Sequence, residues 1–453
     1  MTAITFEFHS SATASIEALA SDAFLHVREI EIARKESKGS DWWQPDNPIT
    51  ITDDDIVGEP VMWLSQSSGD DALIFMWHDS RSFGLTRSDY EKLAKLIDAV
   101  LKVKWAQKSV SRKFVEGVFI DWARRRLQAR EHSPFCNFFL DRCAKEVIPL
   151  TATVPIQHLA VEEMFEFGPT KISPMGPKFF DDLKEDLLQI TPEKQEDVSA
   201  LVARLRQKME NCSAIELQIV SEPGYAQDSA LQKAVDAVGL LRFFSLSTVA
   251  STMMSPVTPL GALSVPKSHV LTRGADGAFQ YTSRVAIDNV EYWRISKRDI
   301  AGFRQENLAV VGSLLDLEKL SDFERATRSS ILAFARAITF PELSDRLVFA
   351  FSAIEGLMLR SASEPIQQNV AERVAFLISN TPDKRQKIVE NFKKSYKMRS
   401  QYIHHRLTEV DEIELNQVFF NIRTALAQAV ANLERFKTRD DFLAAIDRTK
   451  FGA

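Results

Sequence analysis

The side chains best suited to chemistry lie in one C-terminal run, Tyr396-Lys397-Met398-Arg399-Ser400-Gln401-Tyr402-Ile403-His404-His405-Arg406. Arg399 presents a planar, permanently charged fork that matches a phosphate. A neutral imidazole titrates near about pH 6.5, so His404 or His405 can take a proton from a hydroxyl or return one to a leaving oxygen. Ser400 can orient either group. Tyr396 or Tyr402 offers a ring face to a base, although a core tyrosine with a satisfied hydroxyl is the commoner use. Tyr396 and Ser400 share a helical face, as do Ser400 and His404. Arg399 and His404 are five residues apart, which is about 140° on an unbroken helix. Their convergence on one phosphate therefore requires a helix end here or a second subunit.

The charge around this run is unlike that of the rest of the chain. The 453 residues carry a formal net charge of −6. Residues 381–410 hold eight Lys/Arg and three Asp/Glu, a local +5, which leaves −11 elsewhere. A basic patch on an acidic protein is the footprint of local phosphate binding, and Lys397 and Arg406 fall inside it as candidate substrate contacts. A solvated helical face is the plainer reading of such a run. A second basic cluster, Arg124, Arg125, Arg126 and Arg130 beside Trp122, could extend an RNA track.

The elements that position these residues read as α+β, with mixed N-terminal and middle regions before an all-α C-terminal bundle. The spacing suggests three regions: 1–150, a possible sensor; 151–303, α+β; and 304–453, helical. Strands are expected at Phe24–Arg34, Val61–Leu64 and Leu73–Trp77, and helices from Thr86 and over Arg112–Arg130. Pro149–Pro155 marks the first boundary. Ala214–Val220 alternates like a strand. Helical segments are expected near 305–320, 322–339, 344–360, 365–379, 383–403, 411–436 and 440–448. Leu347–Leu359 is almost continuously apolar, which places it at a bundle centre and leaves Glu355 in need of a partner, for which Arg373 is the expected choice. Thr408 and Asp411 have capping-box spacing before a final amphipathic helix.

At these residues the sequence resembles the HEPN superfamily, and within it the ApeA-like group of prokaryotic defence proteins. The resemblance rests on Tyr396, Arg399, Ser400 and His404, on Ala353-Ile354-Glu355-Gly356-Leu357, which is like that group's "ALEAL" helix, and on the helix Val370–Ile378 with Arg373. It covers roughly 305–436. His405 stands where the family often has Gly, so His404 is the first choice of base and His405 the second. The resemblance implies a metal-independent endoribonuclease, with no cofactor. Its helical domain would form a homodimer that brings two Arg/His sets into one cleft. RNA would be cut by its own 2′-OH, leaving a 2′,3′-cyclic phosphate. It also implies an antiviral or abortive-infection role, with an unknown trigger acting on the N-terminal region.

Composition narrows the alternatives. Three cysteines, Cys136, Cys143 and Cys212, suit a reducing compartment and buried thiols better than zinc with His132. The start of the chain has no basic signal-peptide region, and no apolar run approaches a membrane span, so a cytoplasmic protein is expected. No P-loop, dinucleotide glycine loop, G-x-S-x-G elbow or H-E-x-x-H is present. The other readings are a non-catalytic RNA-binding or adaptor protein and a purely structural partner.

Overall fold

The computed structural model describes residues 6–31, 61–66, 69–78, 81–262, 267–273, 279–285, 292–361, 363–406 and 410–450. The fold is mixed α+β, and among the described residues everything after Lys297 is helical or connecting chain. Two compact units emerge, Met1–Leu150 with Ile219–Asp228, and Thr151–Gln218 with Ser229–Ala453.

The first unit opens with α1 (Ser10–Leu25) and β1 (Arg28–Ile30). Next come β2 (Met62–Ser65), β3 (Asp71–His78) and β4 (Arg81–Thr86), forming an antiparallel sheet of order β1-β4-β3-β2. Four helices follow: α2 (Arg87–Leu101), α3 (Lys104–Ser109), α4 (Arg112–Leu127) and α5 (Phe135–Glu146). Their starts are chemically specified. The Thr86 hydroxyl accepts from Asp89 N–H at α2, and the Ser111 hydroxyl from Phe114 N–H at α4. The N-terminus of α5 has no cap of its own, and the Glu17 carboxylate accepts from Phe135 and Cys136 N–H instead. The core gathers Ile16, Leu93, Phe119, Trp122, Phe135 and Phe139. Cys136 and Cys143 are buried there, and burial pushes both thiols well up. The strand expected over Phe24–Arg34 starts only at Arg28, and its last three residues lie outside the described residues. Phe24 and Leu25 close α1, whose alanine-rich sequence favours helix without a clear apolar stripe.

The second unit holds a five-stranded sheet of order β10-β5-β9-β8-β7. Its strands are β5 (Ile148–Gln157), β7 (Phe165–Phe167), β8 (Thr170–Pro174), β9 (Ser213–Ser221) and β10 (Thr258–Pro259). Two further pairs are β6 (Leu159–Val161) with β13 (Trp293–Ile295), and the hairpin β11 (Lys267–Arg273) with β12 (Phe279–Val285). Pro149 and Pro155 lie within β5, and the two units divide between them, at Leu150 and Thr151. Strand β10 pairs with Ile156 and Gln157, and Leu260 N–H donates to Pro155 O at 2.9 Å, a bond that needs only the carbonyl proline retains. Helices α6 (Pro177–Ile190) and α7 (Gln195–Met209) separate β8 from β9, and α8 (Pro223–Leu241) follows.

The C-terminal helices are α9 (Lys297–Gln305), α10 (Leu308–Ser313), α11 (Asp322–Ala337), α12 (Leu343–Met358), α13 (Ile366–Ile378), α14 (Pro382–His405), α15 (Glu412–Ala431) and α16 (Arg439–Lys450). Reciprocal Ser/acid caps start α9 (Ser296, Asp299) and α11 (Ser321, Glu324). Asp411, expected three residues into a capping box begun at Thr408, is itself the N-cap of α15 and accepts from Ile413 and Glu414 N–H, while Thr408 lies outside the described residues. Helix α12 is central and touches α11, α13, α14 and α15, as its apolar sequence requires. The sequence separates the middle region from the bundle, but both fall in one unit. The reason is local: Gly168, at φ +58°, abuts Gly312 of α10, and a Cβ on either would collide with the other's backbone.

Among the described residues, no helix is long and apolar enough to cross a membrane.

Candidate functional site on the C-terminal bundle

Helix α14 runs unbroken from Pro382 through His405 and closes at Arg406, whose φ of 53° is left-handed. No helix end separates Arg399 from His404. The full turn angle therefore stands, about 140° with a rise of about 7.5 Å, and about 120° for His405. The side chains follow this geometry. Arg399 turns toward α12, where its Nη1 donates to Glu355 Oε1 at 2.8 Å. Ser400, His404 and His405 are exposed. One chain does not bring the Arg and the His together.

Arg399 is held from three sides. Glu355 takes one nitrogen, and the same Oε1 accepts the Tyr396 hydroxyl at 3.0 Å. The guanidinium lies 5.9 Å from the Phe351 ring centre and 6.0 Å from that of Tyr396. Phe351 and Glu355 are one turn apart on α12, and Tyr396 and Arg399 one turn apart on α14, so two helical faces meet here. Arg399 Nε is buried without a hydrogen-bond partner. Its side chain keeps 22% of its exposure. The result is an oriented cation at the bundle surface with donor capacity left over.

Tyr396 is a core residue and does not stack on a base. It is 9% exposed, its ring centre sits 4.0 Å from that of Phe351, and burial followed by the Glu355 charge pushes its hydroxyl well up. Tyr402 is half-buried, and its hydroxyl donates to Asp345 Oδ1 at 2.7 Å, which raises its pKa. Both phenols thus brace α14 against α12.

Arg373 does not pair with Glu355. Its Nη1 reaches Glu364 at 2.7 Å and its Nε reaches Asp447 at 3.0 Å, with a further bond to Met358 O. Asp447 lies on α16, 74 residues along the chain, and nothing in local spacing points to it. Burial opposes the Arg373 charge, but Asp447 and Glu364 outweigh it and raise its pKa.

The basic window divides in the same way. Lys394 pairs with Glu414 at 2.5 Å, and Arg385 lies 4.0 Å over the Phe376 ring and donates to Ser379 O. Among the described residues, Lys384, Lys387, Lys393, Lys397 and Arg406 form no ion pair. Lys393, Lys397, Ser400 and His404 follow at i, i+4, i+7 and i+11, and all are exposed. They make one basic stripe ending in the histidine. A groove of about 600 Å³ lies beside this stripe, between α14 and α15, lined by Lys384, Lys387 and Phe420 but not by Arg399 or His404.

Sequence reasoning missed Asp345, Phe351 and the Arg399–Glu355 pairing. The i, i+4 pair Phe351/Glu355 on a near-apolar helix was the available signal. Among the described residues no cluster of three or more His, Cys, Asp or Glu could hold a metal ion. No family model, curated protein or solved structure matches the chain.

Proposed function

We propose that the C-terminal bundle is a metal-independent endoribonuclease of HEPN type, acting as a homodimer in a cytoplasmic antiviral or abortive-infection effector. The observation that carries this reading is the separation within α14. Arg399 is oriented by Glu355 on one side, and Ser400 and His404 are exposed on another. A two-fold pairing of bundles would set the arginine of one chain opposite the histidine of the other. His404, or His405 beside it, takes the ribose 2′-OH proton. The 2′-oxygen attacks phosphorus, the 5′-oxygen leaves, and a protonated histidine returns a proton to it. Arg399 stabilises charge on the phosphoryl oxygens. Lys393 and Lys397 would hold the neighbouring phosphates, and the N-terminal region would receive the trigger.

The test is RNA cleavage in EDTA by wild type, Arg399→Ala and His404→Ala proteins, with toxicity on expression covering a latent enzyme. The reading requires that both substitutions abolish cleavage or toxicity. Equal activity of all three sinks it.

The unjoined Arg and His also suit a non-catalytic RNA-binding or adaptor protein. That reading expects salt-sensitive RNA binding through the same lysines and no cleavage.

A further inference from the structure

The first unit carries a second basic stretch of sequence, with a larger net charge than the window around Arg399 and His404. Residues 101–130 hold nine Lys/Arg and two Asp/Glu, a local charge of +7. The end of α4 gathers part of this charge into a pocket of about 430 Å³ lined by Asp121, Arg124, Arg125, Gln128 and Arg130. Every lining residue is polar, and three are arginines.

The arginines are placed by specific contacts. Arg124 Nε donates to Phe75 O. Arg125 lies 5.4 Å from the Phe138 ring centre. Arg130 would point away from a straight continuation of α4, but the chain reverses at Ala129, which adopts φ 53°. Ala129 N–H then bonds Arg126 O at 3.1 Å, and Arg130 N–H bonds Arg125 O at 2.8 Å. This closure normally takes glycine, and an alanine there is strained. It returns Arg130 to the pocket and satisfies carbonyls that would otherwise repel an anion at a helix C-terminus. Asp121, the one acid, is shared between Arg124 at 3.6 Å and Arg142 at 3.5 Å. Arg126 belongs to a different surface, over the rings of Trp122 and Phe24.

An independent observation extends the pocket along the helix. Gly117 sits mid-helix, exposed, with nothing within 4 Å of where a Cβ would be. No packing explains a glycine there, and it disfavours the helix. A bare helix surface does let a ligand approach the backbone. Lys113, Gly117, Arg124 and Gln128 follow at i, i+4, i+11 and i+15, within an arc of about 60°. From Lys113 to Gln128 they span about 22 Å at 1.5 Å per residue, which is longer than a single nucleotide.

We infer that this face of α4 binds the phosphate backbone of a nucleic acid, the chain lying over Gly117 and one phosphate entering the Arg124/Arg125/Arg130 pocket. The site is separate from the proposed catalytic bundle and stands whether or not that bundle cleaves RNA.

The experiment uses full-length His404→Ala protein, so that RNA stays intact, with a labelled 20-nucleotide single-stranded RNA, a 20-base-pair DNA duplex, and tripolyphosphate as competitor. Arg130→Glu should weaken oligonucleotide binding roughly tenfold and lower the salt slope by about one per lost phosphate contact. Gly117→Gln, which favours the helix, should weaken binding without loss of fold. Lys178→Glu, the same charge change on an exposed residue of the second unit, should leave it unchanged. The arm that binds more tightly identifies the nucleic acid. The inference is overturned if Arg130→Glu and Gly117→Gln bind like the parent, or if Lys178→Glu weakens binding equally. Displacement by tripolyphosphate at the oligonucleotide's own concentration would reduce the site to a phosphate pocket and overturn the track along α4.

Discussion

Two arginines of one bundle are used in opposite ways. Arg373 is 6% exposed and grips Glu364, Asp447 and a backbone carbonyl, tying α13 to α16. Arg399 keeps 22% exposure, gives one nitrogen to Glu355 and leaves Nε unpartnered. A cation with every nitrogen engaged holds a fold together. Under the proposed reading, Arg399, anchored at one nitrogen, is pre-oriented for a phosphate. The comparison teaches that partner count and exposure, more than residue type or local charge, distinguish these two arginines.

Breaking the larger network gives the largest effect. Arg373→Ala removes the cation that bonds both Glu364 and Asp447, leaving them Asn369 and Arg360, and should cost about 3 kcal/mol in urea denaturation. Arg399→Ala should cost less than half of that, because the Tyr396 hydroxyl still serves Glu355. Equal losses would erase the distinction. In cleavage the order reverses: Arg399→Ala should reduce the rate on the order of 100-fold, about 2.7 kcal/mol, if it stabilises phosphoryl charge. Tyr396→Phe sharpens the contrast further. It should cost about 1 kcal/mol of stability through the lost hydrogen bond, and loosen the arginine through its carboxylate.

Acid offers a smaller test. Burial works against ionisation of Glu364 and Asp447, but Arg373, helped by Asn369 at Glu364 and Arg360 at Asp447, outweighs it and holds both below their ordinary 4.5 and 3.8. Their contribution is complete above those unfolded values and is lost as pH falls below them toward the depressed folded values. Stability of the wild type should therefore decline with acid below about pH 4.5 more steeply than that of Arg373→Ala. Parallel curves would mean that the pairs contribute little. Smallest of all, Gly117→Ala should stabilise the first unit by up to about 1 kcal/mol, since its methyl group meets nothing.

Much of the bundle was legible because its helices announce themselves locally. Asp411 at the start of α15 and the apolar run of α12 depend on neighbours in sequence. The motif's own geometry was also legible, since 140° between Arg399 and His404 follows from helix pitch alone. The partners of the charges were not. Arg373 reaches Asp447 across 74 residues, and Arg399 reaches Glu355 across 44. Such pairings are set by how helices cross, which no local spacing encodes. In the N-terminal region, α1 hid behind alanines, and α5 behind a cap supplied by the distant Glu17.

The central claim is that Arg399 and His404 act together only across two chains. Inactive Arg399→Ala and inactive His404→Ala proteins should be mixed, dissociated, reassociated and assayed on RNA in EDTA. Random pairing makes half the dimers mixed, each with one intact Arg/His set, so about a quarter of wild-type activity should return. No recovery, with mixed dimers demonstrated, would contradict the account.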